Sequence, residues 1–152
     1  MKTTEIVNEG ISAMEAKDWN RVNKYFSDDF TFSGAVPNPL NKSGWEKLHR
    51  ALQNAFPDLK FNLRDVKQEN DKVYAKVKLM GTHTNKLEIP FQGFPPLDPT
   101  NKKFTMPEEE CEFSFKGDKI SKMHVKPVPN GGVQGLYKQL GVDITGKIRS
   151  HV

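Results

Sequence analysis

The amino-acid sequence predicts an α+β fold in which helices cover one face of a strongly curved, mixed or antiparallel β-sheet. Apolar residues recur with the helical period of 3.6 as far as Pro57, alternate with the strand period of two after that, and return to the helical period near the end of the chain. Helices and strands that are segregated in this way are typical of the class. A sheet curled into a cone has an open end, which is a natural cavity for a small molecule.

Two amphipathic helices are predicted at the start of the chain. The first spans residues 4–16, and the second follows Asp18, whose carboxylate is suited to cap it. Their buried stripes consist of Ile6, Val7, Ile11 and Met14 in the first helix and Trp19, Val22 and Phe26 in the second. Phe30 and Phe32 then alternate with polar residues, as expected for a short strand.

A third helix is predicted next. Ser43 and Glu46 have the spacing of a capping box at its start, and Pro57 ends the helical pattern. The apolar face of this helix consists of Trp45, Leu48, Leu52 and Phe56.

A series of strands follows the third helix. Phe61 and Leu63 alternate in the first of them, and "KGDK" at 116–119 predicts a tight turn into the last, "KISKMHVKPV". Between these lie two strands whose buried faces consist of Val73, Ala75, Val77 and Leu79 in one and Cys111, Phe113 and Phe115 in the other. A final helix after "NGG" groups Val133, Leu136, Tyr137 and Leu140 and ends at Gly141.

Length and composition predict one domain over residues 1–152. No cofactor is expected, and no metal either, because no H-x-H, H-E-x-x-H or comparable spacing adds a third ligand to His83 and His124. Cys111 is the single cysteine, so an intramolecular disulfide and a multi-cysteine zinc site are excluded. The sequence shows no stretch resembling a signal peptide or a membrane span, which favours the cytoplasm and no membrane partner. The net charge is +4, but 19 of the 23 basic residues are scattered lysines, a pattern that argues against nucleic-acid binding.

Four segments carry a resemblance to a known family. They are "GTHT" at 81–84, "PTNKKFTMPEE" at 99–109, "FSFKGDKI" at 113–120 and "QGLYKQLGV" at 134–142. In this order, and after paired N-terminal helices, they resemble the SnoaL-like polyketide cyclases of the nuclear-transport-factor-2-like (NTF2-like) superfamily. The resemblance covers roughly residues 4 to 142 and implies the cone-shaped fold, a ligand cavity and a homodimer that forms through the outer sheet face.

The resemblance also implies a catalytic aspartate on the last strand, which this chain lacks. In the cyclases that aspartate acts as acid and base in aldol ring closure. The corresponding position here is Val128 or Pro129, and no carboxylate is present. His124 stands where the family commonly has tryptophan.

His83 and His124 are the candidate catalytic residues. His83 has the same strand parity as Val73 to Leu79, so it is expected to point into the cavity, where it would transfer a proton, contact a ligand or simply close the strand. The parity of His124 is ambiguous, because Met123 and Val125 compete for the same face. Glu110 and Glu112 are expected to face outward, and Asp28 and Asp29 fit a turn better than a site.

Aromatic residues are expected to form the wall of the cavity, and a proline-rich loop over residues 87–99 is expected to form a lid or rim. The predicted ligand-binding residues are Phe30, Phe32, Trp45, Phe56, Leu79, Phe91, Phe94 and Phe113. Cys111 lies among apolar residues and is interpreted as core.

The sequence therefore predicts a pocket protein that binds a small hydrophobic, carbonyl-bearing molecule. Cofactor-free proton transfer of the cyclase, isomerase or dehydratase type is the expected chemistry, with His83 in place of the missing aspartate. The alternative is a non-enzymatic ligand-binding module or a homodimeric scaffold.

Overall fold

The fold is an α+β arrangement of helices on a mixed sheet, as predicted. It was obtained as a computed structural model that describes residues 1–144. The helices are α1 (Thr3–Glu15), α2 (Trp19–Tyr25), α3 (Lys42–Ala55) and α4 (Gly132–Gln139). The strands are β1 (Phe26–Ser33), β2 (Leu40–Asn41), β3 (Arg64–Glu69), β4 (Lys72–Val77), β5 (Met80–Thr82), β6 (Lys103–Thr105), β7 (Glu109–Lys116) and β8 (Lys119–Val125).

The main sheet has six strands in the order β2-β1-β8-β7-β4-β3. The first and last of the long strands, β1 and β8, are parallel neighbours, and the other neighbouring pairs are antiparallel. Strands β5 and β6 form a separate two-stranded sheet. The resulting mixed, open sheet agrees with the predicted cone fold.

The helices pack against the sheet around Trp45. This side chain is fully buried, and its ring lies 4.7 Å from that of Phe26 and 4.6 Å from that of Phe30, measured between centroids. Trp45 belongs to the apolar face of α3, which also buries Leu48 and Leu52. Because large aromatic side chains bury much apolar surface, this cluster fixes α3 against β1.

One predicted helix cap is confirmed and another is wrong. The Asp18 carboxylate accepts a hydrogen bond from the backbone N–H of Arg21 at the start of α2. At α3 the cap is Asn41, whose side-chain oxygen accepts from Gly44 N at 2.8 Å. The helix begins one residue before Ser43, so Ser43 is already inside the first turn and cannot form the predicted capping box. Glu46 instead forms an ion pair with Arg50 one turn later.

The predicted strand from Val73 to Leu79 is shorter than expected. Strand β4 ends at Val77, where the chain leaves β7 and the Lys78 N–H donates to the carbonyl of Phe61. The chain then enters β5, which pairs with β6 rather than with the main sheet. The alternation that includes Val73 therefore does not extend to His83.

Within the described residues, no helix is long and apolar enough to cross a membrane.

Candidate functional site

A narrow interior cavity of about 60 Å³ lies between α3, α4 and the sheet. Most of its wall is apolar, and two ionisable side chains, His49 and Glu109, interrupt it. The apolar wall consists of Phe32, Ala35, Leu48, Leu52, Phe61, Val77, Leu79, Met106, Met123, Val125, Val133 and Leu136. A cavity of this composition suits a ligand with an apolar body and a few polar atoms.

His49 lies on the buried face of α3 and is 5% exposed. Its Nδ1 is 2.9 Å from the carbonyl oxygen of Trp45, one helical turn earlier. Since a carbonyl oxygen only accepts, Nδ1 carries the proton and Nε2 has the lone pair in the neutral ring. Burial lowers the pKa of His49 to about 4. At neutral pH the ring is therefore uncharged and offers a hydrogen-bond acceptor to the cavity.

Glu109 begins β7 and is also 5% exposed. Its Oε2 accepts a hydrogen bond from the backbone N–H of Gly132 at 3.3 Å. Burial raises the pKa of the Glu109 carboxyl above its ordinary value of 4.5, and the bond from Gly132 offsets part of that shift. A carboxyl in an apolar cavity holds its proton more tightly than one in water, so it can both take up and return a proton nearer neutral pH.

His83 is completely buried, but it does not line this cavity. Its Nδ1 accepts from the backbone N–H of Thr100 at 3.3 Å and lies 3.0 Å from the Thr100 hydroxyl. The ring packs against Phe56 at 5.4 Å, and Nε2 has no hydrogen-bond partner. Burial lowers the pKa of His83. The shortened β4 explains this position, because the chain turns into the small sheet before it reaches His83.

His124 lies on the opposite face of the sheet from the cavity. Its neighbours Met123 and Val125 line the cavity, whereas the His124 Nδ1 is 2.8 Å from the hydroxyl of Ser33. The pairing of β7 with β8 shifts its register between Ser114 and Phe115 of β7. Because of this shift, Ile120 of β8 is buried on the same face as Met123. The structure does not bring His83 and His124 together in the cavity.

Two of the predicted ligand-binding residues, Phe32 and Leu79, line the cavity. The others lie in the core or the loop outside its wall: Phe30, Trp45, Phe56, Phe91, Phe94 and Phe113. The loop is anchored on α4, where the Tyr137 hydroxyl donates to the carbonyl of Pro95 at 2.9 Å. Cys111 is buried, which raises the pKa of its thiol, so the core interpretation fits the structure.

Among residues 1–144, no group of three or more His, Cys, Asp or Glu side chains is placed to hold a metal ion.

The sequence interpretation overlooked both ionisable residues of the cavity. Glu109 has the strand parity of Cys111 and Phe113, and His49 stands four residues after Trp45 and three before Leu52. Each therefore shares a face with residues assigned to the core. The signal was available in the same periodicities that located the strand and the helix.

Comparison with known proteins agrees with this fold. A family model described as SnoaL-like polyketide cyclase matches residues 5–125. No curated protein matches the chain by sequence.

Solved structures with the same fold include three bacterial proteins. AclR, a candidate hydroxylase from Streptomyces galilaeus, is 21% identical, with 91% of this chain and 95% of AclR covered and a TM-score of 0.70. IdmH, a candidate polyketide cyclase from Streptomyces antibioticus, is 18% identical, with coverage of 90% and 99% and a TM-score of 0.68. A candidate SnoaL-like polyketide cyclase from Jannaschia sp. CCS1 is 16% identical, with coverage of 81% and 83% and a TM-score of 0.65. At these identities the similarity establishes the fold alone.

Proposed function

The chain belongs to the SnoaL-like polyketide cyclase family, and from that premise we propose that its cavity binds a small apolar carbonyl compound and catalyses proton transfer at the carbon next to the carbonyl. Family membership supports a ligand-binding or cyclase-type function. The observation that carries the finer proposal is the placement of Glu109 and His49 in one apolar cavity. Two titratable groups in a nonpolar cavity are typical of acid–base sites.

Glu109 is the proposed proton carrier. Burial raises the pKa of its carboxyl toward neutral pH. A group whose pKa lies near the working pH is the most effective at both taking and returning a proton. The pKa of His49, about 4, moves in the opposite direction and makes its ring a weak base. His49 is therefore the hydrogen-bond acceptor for a ligand hydroxyl or for the hydroxyl of the enol that forms when the α-proton moves to the carbonyl oxygen.

In this proposal Glu109, and not His83, transfers the proton in place of the aspartate that the chain lacks. The Glu109 carboxylate removes the α-proton, the C–H electron pair moves into the new C=C bond, and the C=O electron pair takes up that same proton from Glu109 to give the enol. In the reverse direction Glu109 takes the proton from the enol oxygen and returns it to carbon, so the step needs no cofactor. The surrounding apolar side chains exclude water, which strengthens each polar contact with the ligand.

The test is the exchange of α-protons of 2-butanone for deuterium in D₂O, followed by proton NMR. The wild-type protein should accelerate exchange over buffer, and Glu109→Gln, which keeps an oxygen for the Gly132 N–H, should lower the acceleration by about 100-fold or more. His83→Gln is the matched comparison and should retain exchange. Unchanged exchange in Glu109→Gln would contradict the proposal, and loss of exchange in a folded His83→Gln would return the role to His83.

A second candidate is a ligand-binding module without catalysis, which the small volume of the cavity favours. About 60 Å³ is far below the several hundred Å³ of typical small-molecule sites. For this function the protein should bind 2-butanone, detected by chemical-shift changes around His49 and Glu109, without accelerating exchange. Exchange that depends on Glu109 would exclude it.

The homodimer is a further proposal, supported by the charge pattern of the outer sheet face. Lys72 pairs with Glu112 across β4 and β7, and Lys76 lies 3.6 Å from Asp65. Such a face suits a polar, hydrated interface. Light scattering after gel filtration should give the mass of two chains, and Tyr74→Glu on this face should give the mass of one. A single-chain mass for the wild-type protein would refute the dimer.

A further inference from the structure

A surface groove of about 390 Å³ adjoins the interior cavity. Residues 34–37 form one side of it, and residues 127–132 together with the start of α4 form the other. Ala35 and Gly132 line both the groove and the cavity. The two spaces therefore share these two lining residues, and we call this point the neck.

The sizes of the two spaces indicate how a ligand would use them. The cavity volume of about 60 Å³ holds only a few non-hydrogen atoms, whereas small-molecule sites commonly measure about 300–1,000 Å³. A ligand larger than a short ketone must extend beyond the cavity. The groove is the space that adjoins it, and its volume lies within the usual range.

Two contacts hold the neck in place. The carbonyl oxygen of Ala35 accepts from the backbone N–H of Val133 at 2.9 Å, and Glu109 Oε2 accepts from Gly132 N. Gly131 lets the side chains of Val128 and Glu109 approach the backbone closely, because an added Cβ would lie 2.7 Å from Val128 Cγ2 and 2.9 Å from Glu109 Oε2. The proposed proton carrier is therefore located at the passage between the cavity and the groove.

We propose that the groove is the outer half of the ligand site and binds a neutral, hydrogen-bonding tail of a ligand whose carbonyl end lies in the cavity. This inference rests on the proposed function, which places the carbonyl end beside Glu109. The groove is lined by the Asn130 amide as well as by one ammonium group, Lys138, and one carboxylate, Asp143. Because these two charged groups have opposite signs, a charged tail gains no net attraction in the groove and loses its hydration, whereas a hydroxyl or amide tail can hydrogen-bond the Asn130 amide.

Binding of four ketones tests the inference. They are 2-butanone, 2-octanone, 8-hydroxy-2-octanone and 7-oxooctanoate, measured by titration calorimetry. The hydroxyl tail should make 8-hydroxy-2-octanone bind about fivefold more tightly than 2-octanone. It should also bind more tightly than 7-oxooctanoate. An equal or reversed order in either comparison would overturn the inference.

The groove can be tested by a substitution that fills it. Val36→Trp, at a residue that lines the groove but not the cavity, should reduce the affinity of the three longer ketones to about that of 2-butanone, while 2-butanone itself should bind within about twofold of the wild-type value. Ala16→Trp, at an exposed residue outside both spaces, is the control and should change none of the four affinities. Val36→Phe is a smaller plug that gives the same comparison should the tryptophan variant fail to fold.

The outcomes separate the two proposals. Binding and exchange of 2-butanone without any added affinity for the longer ketones would leave the proposed function in place and overturn the groove. Retained affinity of 8-hydroxy-2-octanone in folded Val36→Trp would also overturn it. Absence of binding by all four ketones would overturn both proposals.

Discussion

Mild acidification should destabilise this protein through His49. The ring is buried among Phe32, Trp45 and Phe61, and its pKa is about 4 in place of 6.5. In the unfolded chain it takes up a proton as the pH falls through 6.5, whereas in the folded protein it stays neutral until about pH 4. The stability that the neutral ring contributes is therefore fully present above pH 6.5 and is lost as the pH falls from 6.5 toward 4.

The size of the loss follows from the shift. One pKa unit corresponds to about 1.4 kcal/mol, so the free energy of unfolding should fall by about 2 kcal/mol between about pH 7.5 and about pH 5 because of His49. The assay is urea unfolding of the wild-type protein and of His49→Phe at both pH values. Phenylalanine keeps a ring among the same aromatic neighbours but cannot take up a proton. Comparing each protein with itself at two pH values cancels any change in packing.

The pH-dependent loss should be about 2 kcal/mol smaller in His49→Phe than in the wild-type protein. Glu109 and His83 are present in both proteins, so their own titrations do not enter the difference. An equal loss in the two proteins would refute the reasoning. An NMR titration of the His49 ring gives a direct check, because the ring should remain neutral at pH values where an exposed histidine is charged.

Three further predictions concern single sites. Gly34→Ala should lower the free energy of unfolding, measured with urea, by more than about 3 kcal/mol, because φ is +98° and an added Cβ would lie 1.8 Å from the carbonyl oxygen of Val125. Gly117→Ala, with φ +61° and open space around it, should lower it by only about 1 kcal/mol. Asn41→Ala should destabilise the protein by about 1 kcal/mol and Ser43→Ala by less than about 0.5 kcal/mol, and the reverse order would restore the capping box. Cys111 should react with a thiol reagent only as fast as the protein opens, since it is buried with a raised thiol pKa; fast reaction in the native state would contradict its core position.

Local patterns predicted most of the fold because hydrophobic periodicity reports which face of an element is buried. The stripe of α1 and the alternation of Cys111, Phe113 and Phe115 in β7 are visible without knowledge of tertiary contacts. The end of β4 is not visible in this way. Residues from Val73 to Leu79 continue to alternate, but the chain exchanges one partner strand for another after Val77, and that change depends on tertiary pairing.

The site was harder to predict than the fold for a related reason. His83 and His124 were predicted because histidine is the side chain that most often transfers protons at neutral pH. The position of the cavity depends instead on which faces of α3 and β7 meet. The parity of Glu109 and the helical position of His49 place each on a buried face. Their meeting in one cavity requires the packing of distant elements, which one sequence does not reveal. A buried ionisable residue on an otherwise apolar face is therefore the sequence signal that would have located this candidate site.

The parallel pairing of β1 with β8 has a consequence for the synthesis of the protein. Ser33 and His124 are neighbours across this pair although 91 positions separate them along the chain. At ribosomal rates of about 5–20 residues per second, β1 leaves the exit tunnel roughly 5–20 s before its partner does. During that interval the edge that will join β8 is exposed together with Phe30 and Phe32, and a nascent chain in this condition is a natural client for chaperones. Slower translation should lengthen the interval and lower the yield of native protein.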